Sequence, residues 1–95
     1  LLVKTNEPLA VEERMSKVSV FPNPFLEQAV FRFDDNESRD VHFMVFDVTG
    51  RMVFEENYQS VNQFDFNRQN MTSGLYFYVI KSNGKTINKG KIIAQ

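Results

Sequence analysis

"LYFYVIKSNGKTINKGKIIA", residues 75–94, contains the residue pair that decides the architecture: Asn83-Gly84, between two stretches of strand-forming residues. A two-residue loop of this type needs positive φ at both central positions. Asn and Gly adopt that conformation at least cost, and the loop returns the chain antiparallel to itself. "LYFYVIK" at 75–81 is apolar at successive positions, as in a strand covered on both faces and central to its sheet. Its partner is expected from Thr86 to Ala94.

A second such run, "DVHFMVFDV" at 40–48, sets Val41, Phe43 and Val45 against Met44, Phe46 and Val48 and is also placed centrally. It leads into "DVTGR" at 47–51, where Gly50 falls at the left-handed position of a hairpin closed by a G1 bulge. "RMVFEENY" at 51–58 is the return strand, with Met52 and Phe54 facing in. Upstream, "VSVF" at 18–21 stops at Pro22, which has no N–H for a ladder. "QAVFRFD" at 28–34 alternates, with Ala29, Phe31 and Phe33 on one face. "QFDFN" at 63–67 is a further short strand, and Gly74 closes the loop after it.

The pattern is thus seven short strands with turn signals between them and no helix of ordinary length. It predicts an all-β fold, a seven-stranded antiparallel immunoglobulin-like β-sandwich. Residues 18–95 form that domain. Residues 1–17, polar and interrupted by Pro8, are expected to be a linker from an upstream domain with a short helical turn around 10–15. Leu1 in place of Met suggests a piece of a longer chain.

Composition fits one small core: 42% of residues are hydrophobic, and ten Phe and three Tyr supply area that Trp, which is absent, would otherwise give. Eleven basic and twelve acidic residues leave a net charge of -1, so there is no field to hold nucleic acid or an anionic membrane. With no cysteine, disulfides, thiolate metal sites and thiol nucleophiles are excluded together. No apolar run approaches the roughly 18 to 20 residues that span a bilayer as a helix.

Catalytic signals are missing. His42, the single histidine, sits in a strand without a partner base or nucleophile in its motif and reads as packed or solvated. "DDNESRD" at 34–40 spaces oxygens at Asp34, Asn36, Ser38 and Asp40 like a calcium loop. It has Arg39 where the loop's Gly belongs and Val45 where its bidentate Glu belongs, so it reads as a solvated hairpin tip. Tyr76 and Tyr78 share a face with Ile80 and read as core, not as a sugar-stacking platform. No enzyme, cofactor, metal or small-molecule substrate is expected.

Four blocks, in order, resemble the C-terminal sorting domain (type A) of type IX secretion (Por secretion) cargo proteins of Bacteroidetes. "VFPNPF" at 20–25 is similar to the family's aromatic-Pro-Asn-Pro segment, through Phe21, Pro22, Asn23 and Pro24. "VFDVTGRMV" at 45–53 is similar to its apolar-x-Asp-x-Thr-Gly-Arg-x-Val hairpin, through Asp47, Thr49, Gly50 and Arg51. "GLYFYVI" at 74–80 resembles Gly-x-Tyr-x-apolar, through Gly74 and Tyr76. "GKII" at 90–93 resembles the terminal block, through Gly90, Lys91, Ile92 and Ile93.

The resemblance implies the same seven-stranded fold and a role as an address label. The parent would pass through the periplasm and be recognised by the outer-membrane translocation machinery. A surface cysteine peptidase would remove the domain, in or just before the linker, and the cargo would be secreted or held at the cell surface. The alternative is an immunoglobulin-like spacer or a carbohydrate- or protein-binding module retained on a secreted enzyme.

Two expectations concern the ends of the sandwich. Pro22 and Pro24 would make a rigid lead-in, with Phe21 and Phe25 anchoring either side of it. The last strand, residues 86–95, would offer an open edge to a partner sheet or to an edge-strand dimer.

Overall fold

The computed structural model describes residues 15–95. The helical turn expected near 10–15 lies, apart from Met15, outside the described residues. Seven strands follow: β1 (Val18–Phe21), β2 (Gln28–Phe33), β3 (Arg39–Phe46), β4 (Met52–Val61), β5 (Gln63–Asn67), β6 (Gly74–Ser82) and β7 (Lys85–Ala94). They form two antiparallel sheets, a three-stranded one ordered β1-β2-β5 and a four-stranded one ordered β4-β3-β6-β7. β3 and β6, the two runs that are apolar on both faces, occupy the centre of the larger sheet.

The two hairpins follow from local chemistry. Asn83 (φ 53°) and Gly84 (φ 78°) both take positive φ between the paired Ser82 and Lys85, as the β6–β7 turn requires. At the β3–β4 turn, Gly50 has φ 90°, its N–H donates to Asp47 O at 3.0 Å, and Asp47 N–H donates to Arg51 O at 2.9 Å.

The segment after β2 behaves differently from the expected hairpin tip. β2 and β3 belong to different sheets, so residues 34–38 cross between layers. A second crossing needs only Asn62, between β4 and β5. Here Asn62 O accepts from Phe33 N at 2.9 Å, and Tyr58 stacks on Phe64 at 4.7 Å.

Met52 was expected to face inward and is instead 44% exposed. Val45 pairs with Phe54 but the adjacent Phe46 pairs with Met52, so Val53 is an extra residue in β4. One inserted residue reverses the alternation beyond it: Phe54 stays against the core while Met52 turns out.

Between the sheets lies an aromatic core. Phe31 of β2 meets Phe43 of β3 at 4.8 Å and Tyr78 of β6 at 5.0 Å, both edge to face, and stacks on Phe64 at 5.2 Å. Phe25, Phe31, Phe43 and Phe66 are fully buried, and among the described residues no charged or polar side chain shares this interior. Offset and edge-on rings of this kind add about 0.5–1.5 kcal/mol per pair beyond the area they bury.

Truncating Phe31 therefore removes contacts to both sheets at once. Phe31→Ala is expected to cost about 3–5 kcal/mol. Phe21→Ala, at a ring that is 41% exposed, is expected to cost under about 1 kcal/mol. Denaturant midpoints of the two variants check this, and equal midpoints would contradict the packing.

Candidate functional site

Three of the four motif blocks, far apart in the chain, meet at β7, and the fourth forms the β3–β4 turn of the same sheet. The Phe-Pro-Asn-Pro-Phe segment runs along that strand's outer edge. Its two prolines have no N–H to give, and the Asn23 side chain does the bonding instead. Nδ2 donates to Lys91 O at 3.3 Å, and Oδ1 accepts from Ile93 N at 3.1 Å.

Phe25 continues the ladder with its main chain: its N–H donates to Ile93 O and its carbonyl accepts from Gln95 N, both at 2.9 Å. This makes a parallel bridge to Ala94. The Phe21–Pro22 and Asn23–Pro24 peptide bonds are cis.

This geometry corrects two expectations. The edge of β7 is already bonded over residues 91–95, so it offers no open ladder there to a partner strand or an edge-strand dimer. The lead-in is anchored on one side only, since Phe25 is fully buried while Phe21 lies at the surface with the Arg32 guanidinium 5.2 Å over its ring. Further up the strand, Ser16 N–H donates to Ile87 O and Asn88 Nδ2 donates to Ser16 O, each at 2.8 Å. Ser16 was expected in the linker, and its hydrogen bonds attach it to the sandwich.

Asp47 holds the turn together. One carboxylate oxygen accepts from Thr49 N at 2.9 Å, Thr49 Oγ1 at 2.6 Å and Arg51 N at 3.1 Å, and the other lies 3.2 Å from Arg51 Nε. The Thr49 hydroxyl above all, then the two backbone N–H groups and the Arg51 charge, hold its carboxyl below the ordinary value of 3.8. Arg51 keeps 78% of its side chain in solvent.

Gly74 (φ 146°) begins β6, and the Tyr76 hydroxyl donates to Thr72 O at 2.7 Å. Tyr76 pairs with Ile92, and both are buried. Gly90 lies opposite Tyr78, so close that a Cβ there would be 2.7 Å from Oη and 2.9 Å from Cε2 and Cζ. The ring cannot retreat easily, since it is packed on Phe31 and its hydroxyl donates to Asn88 Oδ1 at 2.9 Å. The motif glycine is a space requirement of the core tyrosine.

One residue of the site carried no sequence signal. Arg68 follows β5 in a polar loop, yet its guanidinium donates to Met71 O at 3.0 Å, Leu26 O at 2.9 Å and Ser73 Oγ at 3.0 Å, and to the main-chain oxygen of Gln95. It thereby ties the proline segment, the β5–β6 loop and the end of β7 together. A cleft of about 390 Å³ opens beside it, lined by Asp47, Arg51, Phe54, Arg68, Met71 and Tyr76 among others.

The remaining candidates are dispersed. His42 Nε2 lies 2.5 Å from Glu55 Oε2 on the outer face of the larger sheet. The acidic oxygens of the 34–40 loop point to separate partners: Asp34 accepts from Ser19, Asp35 from Arg39, and Asp40 from Ser60 N. Among the described residues, no group of three or more His, Cys, Asp or Glu is placed to hold a metal ion.

Two predictions follow from this geometry. Gly90→Ala is expected to destabilise the fold by about 1–3 kcal/mol, the usual cost of overpacking, and to cost much less beside Tyr78→Ala. Thermal denaturation of the double-mutant cycle checks it, and additive losses would mean that the clash does not exist. Asp47 titrates low, so the ionised turn is intact above pH 3.8 and is lost as pH falls through the lowered value. The Thr49 amide shift in NMR should titrate with a midpoint below 3.8; a midpoint at or above it would show that the Thr49 bonds are absent in solution.

A sequence model described as "Secretion system C-terminal sorting domain" matches residues 19–95. No curated protein matches the sequence. The match begins within β1, covers every later strand and includes all four blocks now found around β7 and the Asp47 turn. The chain belongs to the family of C-terminal sorting domains of type IX secretion.

Proposed function

We propose that residues 18–95 act as a non-catalytic address label at the end of a larger cargo protein. The label is presented in the periplasm, gripped by the outer-membrane translocation machinery, and removed by a surface cysteine peptidase before the cargo is released or held at the cell surface. Family membership supports export as such. The observation that carries the reading further is the division of labour among the motif residues.

Asn23, Asp47, Tyr76, Gly90 and Ile92 are used up in holding the fold. Arg51, Lys91 and Ile93 project from it. On this reading the first group builds the shape and the second is what the machinery touches. Arg51 and Lys91 supply charge without burying it, and Ile93, two residues from Lys91, supplies an apolar anchor. The carbohydrate-binding alternative loses its platform, since the Tyr76 and Tyr78 rings are both inside.

The test is a fusion of residues 1–95 behind a periplasm-directed fluorescent protein in a type IX-competent bacterium. The unaltered fusion is expected outside the cell, and a Arg51→Ala/Lys91→Ala/Ile93→Ala fusion in the periplasm, although its denaturant midpoint stays within about 1 kcal/mol of the parent. Periplasmic retention of the unaltered, folded fusion would overturn the sorting role. Export of both would show that the exposed motif residues are not what is read.

A further inference from the structure

Among the described residues, the outer face of the larger sheet carries an apolar band with no partner element. Leu75, Phe77, Ile93 and Met52 are 37–44% exposed there, around the more covered Phe46, Val79 and Met44. Strand register arranges this face in rows. One row reads Met52, Phe46, Phe77, Lys91 from β4 to β7. The next reads Glu55, Met44, Val79, Lys89. That second row has at one end the Glu55 carboxylate, which already holds His42 Nε2 at 2.5 Å through Oε2, a cation at the other end and apolar side chains between.

Such a row is complementary to its own copy turned left for right. A two-fold axis parallel to the strands, between β3 and β6, does this: it places Glu55 over the second copy's Lys89 and Lys89 over its Glu55. Met44 then meets Val79, Phe46 meets Phe77, and the apolar stem of Lys91 lies on Met52. The other in-plane axis, across the strands, would set lysines on lysines and Glu55 on Glu55, so charge selects between the two.

A shallow groove of about 430 Å³ runs between the Phe77–Lys91 and Val79–Lys89 pairs, over Gly90, and can receive a side chain from the facing sheet. The row beyond places His42 over the second copy's Lys81 under the same operation.

We infer that the outer face of the four-stranded sheet is a self-association surface, on which a second copy of this chain docks face to face about a two-fold axis parallel to the strands. Three rows across four strands cover roughly 19 Å by 20 Å, about half the area per partner of a standard stable interface. The dimer is therefore weak and forms when copies are concentrated. Lys91 and Ile93 lie on this face, so a copy held in the dimer cannot present them to another partner.

Sedimentation equilibrium of the full 95-residue chain, from micromolar to millimolar concentration, tests this. A reversible dimer is expected. Each ion pair occurs twice across the axis, so Lys89→Glu should raise the dissociation constant roughly tenfold or more, and Glu55→Lys/Lys89→Glu should restore it to within about threefold. Thermal denaturation of each variant confirms that the exposed substitutions leave the fold intact.

A chain that stays monomeric at millimolar concentration overturns the inference. So does a dimer that ignores Lys89→Glu or is not rescued by the double reversal. A monomeric chain whose Phe77→Lys variant folds but is no longer exported would assign the face to the secretion machinery instead, and would also overturn it.

Discussion

The ring of Phe31 is the contact on which the rest of the molecule rests. It reaches from the smaller sheet to Phe43 and Tyr78 of the larger one, and the inward apolar face of each sheet is covered by the other. With no cysteine to cross-link the layers, aromatic area is the means of holding them. Further constraints follow from this one. Tyr78, fixed against Phe31, projects over β7 and requires glycine at position 90, and Phe25 and Phe66 extend the same cluster, at 5.7 Å from each other, to the segment that closes the edge of β7.

That closure explains the combination of prolines with a single asparagine. An edge strand with free N–H and C=O groups invites pairing with any extended chain. Here the edge is met by a segment whose prolines cannot donate, and the Asn23 amide supplies one donor and one acceptor in their place. Arg68 then fixes both ends of the arrangement by reaching main-chain oxygens on either side. Over residues 91–95 this closes β7 to accidental strand addition.

The motif residues of this chain are thus mostly engaged within the fold. Asp47 spends its carboxylate on the turn, Gly50 its conformational freedom, and Tyr76 its hydroxyl on Thr72. A side chain engaged in that way has little left to show a partner. What stays at the surface is a cationic and apolar remainder, Arg51 and Lys91 with Phe21 and Ile93.

The sequence by itself determined what depends on neighbours along the chain. Alternation and apolar runs bounded by turn residues placed the seven strands, double-sided apolar runs put β3 and β6 at the centre, and Asn83-Gly84 and Gly50 marked the two hairpins, because φ preference and side-chain period are local properties. Tertiary structure decided the rest: that residues 34–38 cross between sheets, that one extra residue turns Met52 outward, and that Arg68 joins three segments. It also decided that Asn23 closes the edge of β7, through hydrogen bonds to residues 68 and 70 positions away. No local pattern encodes such a bond, since the same asparagine would serve a turn equally well until the fold brings β7 beside it.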